Sequence, residues 1–176
     1  KEGWVRPIEP GPATGQSVGI IGAGPAGLTA AEYLRRAGHE VHVYDRHDRA
    51  GGLLIYGIPN FKLDKSVVDR RVARVEEGGI HIHRGVEVGA DVTLSELRER
   101  HDAIFVATGV YQSRELTVDG ADKNGVIRAI DFLTASNRSG LGDEVAAHAD
   151  GSLLAKDRNV VVIGGGDTAM DCVRPA

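Results

Sequence analysis

The run Gly22-Ala23-Gly24-Pro25-Ala26-Gly27 constrains this chain most, because glycines at this spacing between a strand and a helix serve one particular backbone geometry. Upstream, residues 17–21 form a short β-branched run; downstream, 25–37 carry Leu28, Ala31 and Leu34 at helical spacing. Gly38 supplies a helix stop, and 40–44, with Val41 and Val43 alternating, read as a second strand. Strand, helix and strand make one βαβ unit, right-handed with parallel strands. Within it Gly22 permits a tight turn, Gly24 lets the backbone approach a pyrophosphate, and Gly27 lets helix and strand pack closely. The helix N-terminus meanwhile offers unpaired N–H groups and the positive dipole end. Pro25 suits an early helical position, where no N–H is missed. Asp45 follows Gly22 by about 20 residues, where a carboxylate accepts hydrogen bonds from ribose hydroxyls. A bare glycine turn explains less than strand, helix and terminal acid together, so nucleotide binding is the stronger reading; these residues alone leave FAD and NAD both open.

A second glycine run, Gly164-Gly165-Gly166-Asp167-Thr168-Ala169, follows the apolar segment 159–163, with Ala169 at the third glycine position. Two dinucleotide loops in one chain imply two nucleotide sites and electron transfer between two cofactors. Few residues follow Gly166, so the residue that selects NAD or NADP lies beyond the sequence. Between the loops, 80–83 and 86–88 read as short strands, 66–77 as an exposed helix, 94–100 as a short helix, and 103–107 as a buried strand entering Thr108-Gly109. Residues 136–156 turn polar with scattered glycines, which places a domain boundary near 157. The expected organisation is an α/β fold: a linker over 1–16, a nucleotide-binding domain over 17–156, and the start of a second such domain over 157–176. The chain begins at Lys1 with an extended connector over 7–12, and a cut or processed N-terminus is expected.

Glycine is the one compositional outlier, 24 of 176 residues, nearly twice the usual share of about 7%. Hydrophobic residues at 41% with a net charge of -4 give no reason to expect nucleic acid or another polyanion as partner. No apolar run approaches the roughly 20 residues of a spanning helix, so no membrane association is expected and the cytoplasm is the default setting. The single cysteine, Cys172, excludes an intrachain disulfide framework and holds neither an iron-sulfur cluster nor a structural zinc by itself; a core thiol is expected. His81 and His83 alternate along one strand, but no third ligand is near in sequence, so a solvated face is expected and no metal ligands are assigned. The charged group Asp69, Arg70, Arg71, Arg74, Glu76 and Glu77 reads as a solvated helix face.

Beyond these features the chain resembles the small (beta) subunit of bacterial NADPH-dependent glutamate synthases along its whole length. The resemblance rests on Glu2-Gly3-Trp4, the first glycine run with Leu28, Gly51-Gly52-Leu53-Leu54 leading into Tyr56-Gly57-Ile58-Pro59, Phe61-Lys62-Leu63-Asp64-Lys65, Ala107-Thr108-Gly109, Asp131-Phe132-Leu133-Thr134, and Val162-Ile163 with the second glycine run through Cys172. It implies a Rossmann-like FAD-binding domain of a two-domain flavoprotein, followed by the start of a second Rossmann-like domain that binds NADPH. Gly22, Ala23, Gly24, Pro25, Ala26, Gly27 and Asp45 would hold FAD, with Gly52 and Leu53 near the flavin and Thr108 and Gly109 in a loop facing it. Gly164, Gly165, Gly166, Asp167, Thr168 and Ala169 would cradle NADPH. No acid-base side chain is required, since the cofactors carry the redox chemistry. The family passes electrons through iron-sulfur clusters to a large subunit that forms L-glutamate from glutamine and 2-oxoglutarate. Ligands for those clusters, the rest of the NADPH domain and the C-terminal return of the FAD domain are absent here, so a fragment is expected. Related flavin reductases, such as dihydropyrimidine dehydrogenase or ferredoxin-NADP reductase, and a non-catalytic nucleotide-binding module are the alternatives.

Overall fold

The computed structural model describes residues 6–113 and 115–175. Two compact units divide the chain, Lys1–Ile55 with Asp64–Gly109, and Tyr56–Leu63 with Val110–Ala176. The second unit gathers 110–156 as well as the segment beyond 157.

The first unit begins with β1 (Ser17–Ile21), α1 (Pro25–Arg36) and β2 (Glu40–Asp45), the βαβ unit expected from the sequence. A short helix, α2 (Leu53–Tyr56), then precedes α3 (Lys65–Glu77), whose N-cap Asp64 accepts a hydrogen bond from the Ser66 N–H at 2.9 Å. After β3 (His81–Arg84) comes α4 (Leu94–Arg100), opened by a capping box between Thr93 and Glu96, and then β4 (Ala103–Val106). All four strands are parallel and lie in the order β3-β2-β1-β4. That is one half of a doubly wound dinucleotide-binding sheet, with the crevice at the carboxyl ends of the central strands. The expected strand over 86–88 is reduced to a single bridge between Val88 and Val92.

Side-chain alternation splits the sheet into two faces. One carries Ile20, Val41 and Val43, all fully buried. α1 lies on this face, since a side chain at Gly27 would reach within 3.3 Å of Ile20 Cγ2. On the opposite face Tyr44, Val92 and Leu97 form a second cluster with Ile21, Val86, Val88 and Ile104 packed around it. α4 therefore covers part of that face through Leu97, whose full burial contributes about 1.5–3 kcal/mol.

The second unit contains α5 (Ala129–Gly140), α6 (Ala146–Ala149) and α7 (Asp167–Val173). α5 runs into the region expected to be polar loop. Its Asn137, 6% exposed, donates to the carbonyls of Tyr56 at 3.1 Å and Leu133 at 2.9 Å, tying the segment 56–63 to the helix. The expected strand over 159–163 does not form: Val161 is 87% exposed and Ile163 74% exposed, and no described strand pairs with them. A parallel strand is stable only beside a partner, and here its hydrophobic pattern stands without one. α7 stops at Val173, so Pro175 lies outside the helix.

Candidate functional site

The first glycine run closes the β1–α1 corner. Gly22 adopts φ +110, and a side chain there would sit 2.4 Å from the Ala107 carbonyl oxygen. Gly27 is equally constrained, its missing Cβ lying 1.9 Å from the Gly22 carbonyl oxygen. Gly24 differs from both, because nothing lies within 4 Å of where its Cβ would be. It is the N-cap of α1 in an extended conformation, with no side chain satisfying the first turn and Pro25 following it. The Leu28 N–H donates to the Gly24 carbonyl at 2.9 Å, so helical bonding starts here and the N–H groups before Leu28 fall outside the helix's own ladder.

Ala23, fully buried, fixes this loop through both of its peptide groups. Its N–H donates to Asp45 Oδ2 at 2.6 Å, and its carbonyl accepts from the Gly51 N–H at 2.8 Å. Asp45 Oδ1 accepts from the His47 backbone N–H at 2.8 Å and lies 2.9 Å from His47 Nδ1. Burial pushes the Asp45 carboxyl upward, but the hydrogen bonds from His47 and Ala23 outweigh it and hold the group below the usual aspartate range. A carboxylate has about four acceptor positions; these three bonds leave capacity for one further donor. Gly52 is buried at the next turn, whereas Leu53 is 38% exposed. At β4 the Ala107 N–H donates to the Ile21 carbonyl at 2.8 Å, which brings Thr108 and Gly109 to the same end of the sheet as Gly22. Gly22, Ala23, Gly24, Pro25, Ala26, Gly27, Asp45, Gly52, Thr108 and Gly109 thus converge at the carboxyl ends of β1, β2 and β4.

Lys65 was not singled out as a site residue by sequence reading. It is 6% exposed, its ammonium donates to the Leu54 carbonyl at 2.9 Å, and burial lowers its pKa. A lysine opening an otherwise amphipathic helix gives no signal of its own burial.

In the second unit Gly164 adopts φ +140 and Gly166 is the extended N-cap of α7, accepting from the Ala169 N–H at 3.0 Å. The loop-to-helix turn of the first unit recurs, with open space at Gly165 and Gly166. Asp167 is exposed, 3.9 Å from the Lys62 ammonium, while Asp171 is buried and lies 2.6 Å from it. That contact raises the Lys62 pKa. Cys172 is buried, and burial together with Asp171 pushes its thiol upward, so it stays protonated as a core thiol. The charged face of α3 is partly paired: Arg71 bonds Glu32, and Glu76 lies 2.9 Å from Arg84. His81 and His83 do not stand alone either, since strand register sets them beside His42 and Glu40. Glu2, Gly3 and Trp4 fall outside the described residues.

Residues 16–174 match the family model of pyridine nucleotide-disulphide oxidoreductases. The glutamate synthase [NADPH] small chain of Azospirillum brasilense is 57% identical over 99% of this chain and 36% of its own length. The protein of the same name from Bacillus subtilis is 45% identical over 100% of this chain and 35% of its own. The chain thus spans about a third of the curated relatives it matches. Among solved structures, Mycobacterium tuberculosis FprA in complex with NADPH matches with TM-score 0.63 and 28% identity over 75% of this chain and 29% of that one.

Proposed function

The chain belongs to the pyridine nucleotide-disulphide oxidoreductase family, and on that premise we propose that it is the FAD-binding portion of an NADPH-dependent flavoprotein, the small subunit of a glutamate synthase. The observation that carries this reading is the contrast among the three glycines of the first loop. Gly22 and Gly27 are filled around by backbone, while Gly24 faces open space at an uncapped helix N-terminus. A pyrophosphate fits that cradle in size and charge. The Ala23 peptide, clamped by Asp45 and Gly51, holds the cradle in shape, and the free acceptor position of Asp45 suits a ribose hydroxyl. A flavin held by these residues would supply the hydride-transfer chemistry. The chain's own residues supply position and electrostatics.

In this reading residues 17–156 make the FAD-binding domain and 157–176 begin the NADPH domain, where Gly164, Gly165, Gly166, Asp167, Thr168 and Ala169 form the donor's phosphate loop. Its support is the recurring loop-to-helix turn and the NADPH bound in FprA. The same reading passes electrons on to a large subunit, a step supported by the words small chain in the names of the relatives. No described helix is long and apolar enough to cross a membrane.

The test is an absorbance spectrum of the purified chain after reconstitution with FAD, followed by anaerobic addition of NADPH and, separately, NADH. Retained flavin bands are expected, and bleaching by either nicotinamide supports a working donor loop in this chain. Flavin that binds but is never bleached refutes the donor site in this chain and leaves the FAD assignment standing. Failure to retain FAD refutes the FAD assignment.

A further inference from the structure

The face of the sheet opposite α1 carries an unusual number of imidazoles. On β2, Glu40, His42 and Tyr44 point to this face, and the register His42↔His81 and Tyr44↔His83 places two further histidines beside them on β3. The His42 ring stacks on those of His81 at 4.7 Å and His83 at 5.3 Å between centroids. One ligand atom from each of Glu40, His42 and His81 lies within 4.8 Å of the others. Sequence reading missed this set because its members come from two strands far apart in the chain, and only the parallel register joins them.

We propose that Glu40, His42 and His81 form a binding site for a divalent transition cation of the zinc class, clipping the edge strand β3 to β2. Two imidazoles and a carboxylate are donors suited to Zn2+, Ni2+ and Co2+. Bonds of about 2.0–2.2 Å require ligand atoms closer than they stand now; Glu40 and His81, both exposed, have room to turn toward a common cation. His42 is already oriented. Its Nε2 faces Glu40 Oε1 at 3.0 Å, and its Nδ1 lies 3.0 Å from His83 Nε2. With Nε2 on a metal, Nδ1–H donates to His83, which fixes the tautomer as an outer partner does for most metal-bound histidines. His83 is in turn held against the Tyr44 ring at 4.6 Å, and the Tyr44 hydroxyl lies 2.9 Å from His101 Nε2. The donors thus rest on paired strands backed by a hydrogen-bonded aromatic layer.

The site is independent of the nucleotide reading. Asp45 lies three residues beyond His42 along β2, about 10 Å away, at the carboxyl end of the strands, whereas Glu40 opens the strand. Cation binding here acts on the stability of the edge strand and leaves the nucleotide loop alone.

The test is calorimetric titration of the tag-free chain with Zn2+, repeated for Glu40→Gln, His81→Ala and, as a control in the other unit, His148→Ala. Saturable binding of one Zn2+ per chain is expected, weakened at least about tenfold in E40Q and H81A, since even outer-partner losses cost 10–100-fold. H148A should match the parent. The same Zn2+ concentration should also raise the Tm of the parent by more than that of H81A. Absence of saturable binding overturns the proposal, and so does equal weakening by H148A. Because Glu40 and His81 are exposed, their variants should keep the parent's circular dichroism, and Co2+ absorption provides a second readout of the ligand set.

Discussion

Gly24 and Gly27 stand three residues apart in one motif and answer to different physics. At Gly27 a side chain collides with the Gly22 carbonyl oxygen, a backbone atom that has nowhere to go. Gly27→Val should therefore fail to fold or lose several kcal/mol, as overpacking against rigid backbone does, seen as loss of the cooperative urea transition. At Gly24 the same substitution meets empty space, with φ -74 allowed to any residue. Gly24→Val should fold with parent-like circular dichroism and lose FAD retention. Retained flavin in a folded G24V chain would remove the ground for the pyrophosphate cradle. Asp45 gives the third test. Because its folded pKa is lowered, its stabilising contribution is complete above about pH 4 and is lost as pH falls through the folded value. Asp45→Asn, which cannot accept from Ala23 and His47 with both groups, should cost about 1–3 kcal/mol at pH 7. In urea titrations that difference should shrink at pH 3; a constant gap at both pH values would mean the carboxylate charge is not what holds the loop. The placement of the glycines and Asp45 at one end of the sheet was legible in the sequence because it follows fixed local spacing. The burial of Lys65 and the gathering of histidines were not, since both depend on long-range packing.

Elements with local signals were found where the sequence put them. α4 occupies the expected residues, since Thr93 and Glu96 satisfy each other's backbone: the Glu96 N–H donates to Thr93 Oγ1 at 3.1 Å and the Thr93 N–H to Glu96 Oε2 at 2.7 Å. Thr93→Ala should then destabilise the chain by about 1 kcal/mol, a typical cap loss, readable as a lower urea midpoint with unchanged slope. Elements whose existence depends on neighbours went the other way. The segment 159–163 has a strand's composition and no strand beside it, while α5 was hidden because Asn137 and Ser139 look like loop residues. Asn137 is buried there as a hydrogen-bond donor to two carbonyls, a role invisible until the segment 56–63 is folded against the helix.

For the molecule as a whole, the parallel order β3-β2-β1-β4 gathers every first-loop residue at one end of a single sheet, so ligand binding there should be coupled to the stability of the first unit. A ligand that binds only the folded state stabilises it by about 2.7 kcal/mol at a hundredfold excess over Kd. FAD should accordingly raise the thermal midpoint of the parent by several degrees, increasing with the logarithm of ligand concentration. Gly24→Val should show the parent's midpoint without ligand and no response to FAD. A G24V midpoint already lowered without FAD would mean that Gly24 serves the fold and not the ligand. The opposite pattern, a parent indifferent to FAD and a G24V chain of equal stability, would leave the glycine loop as a turn that joins β1 to α1 and nothing more.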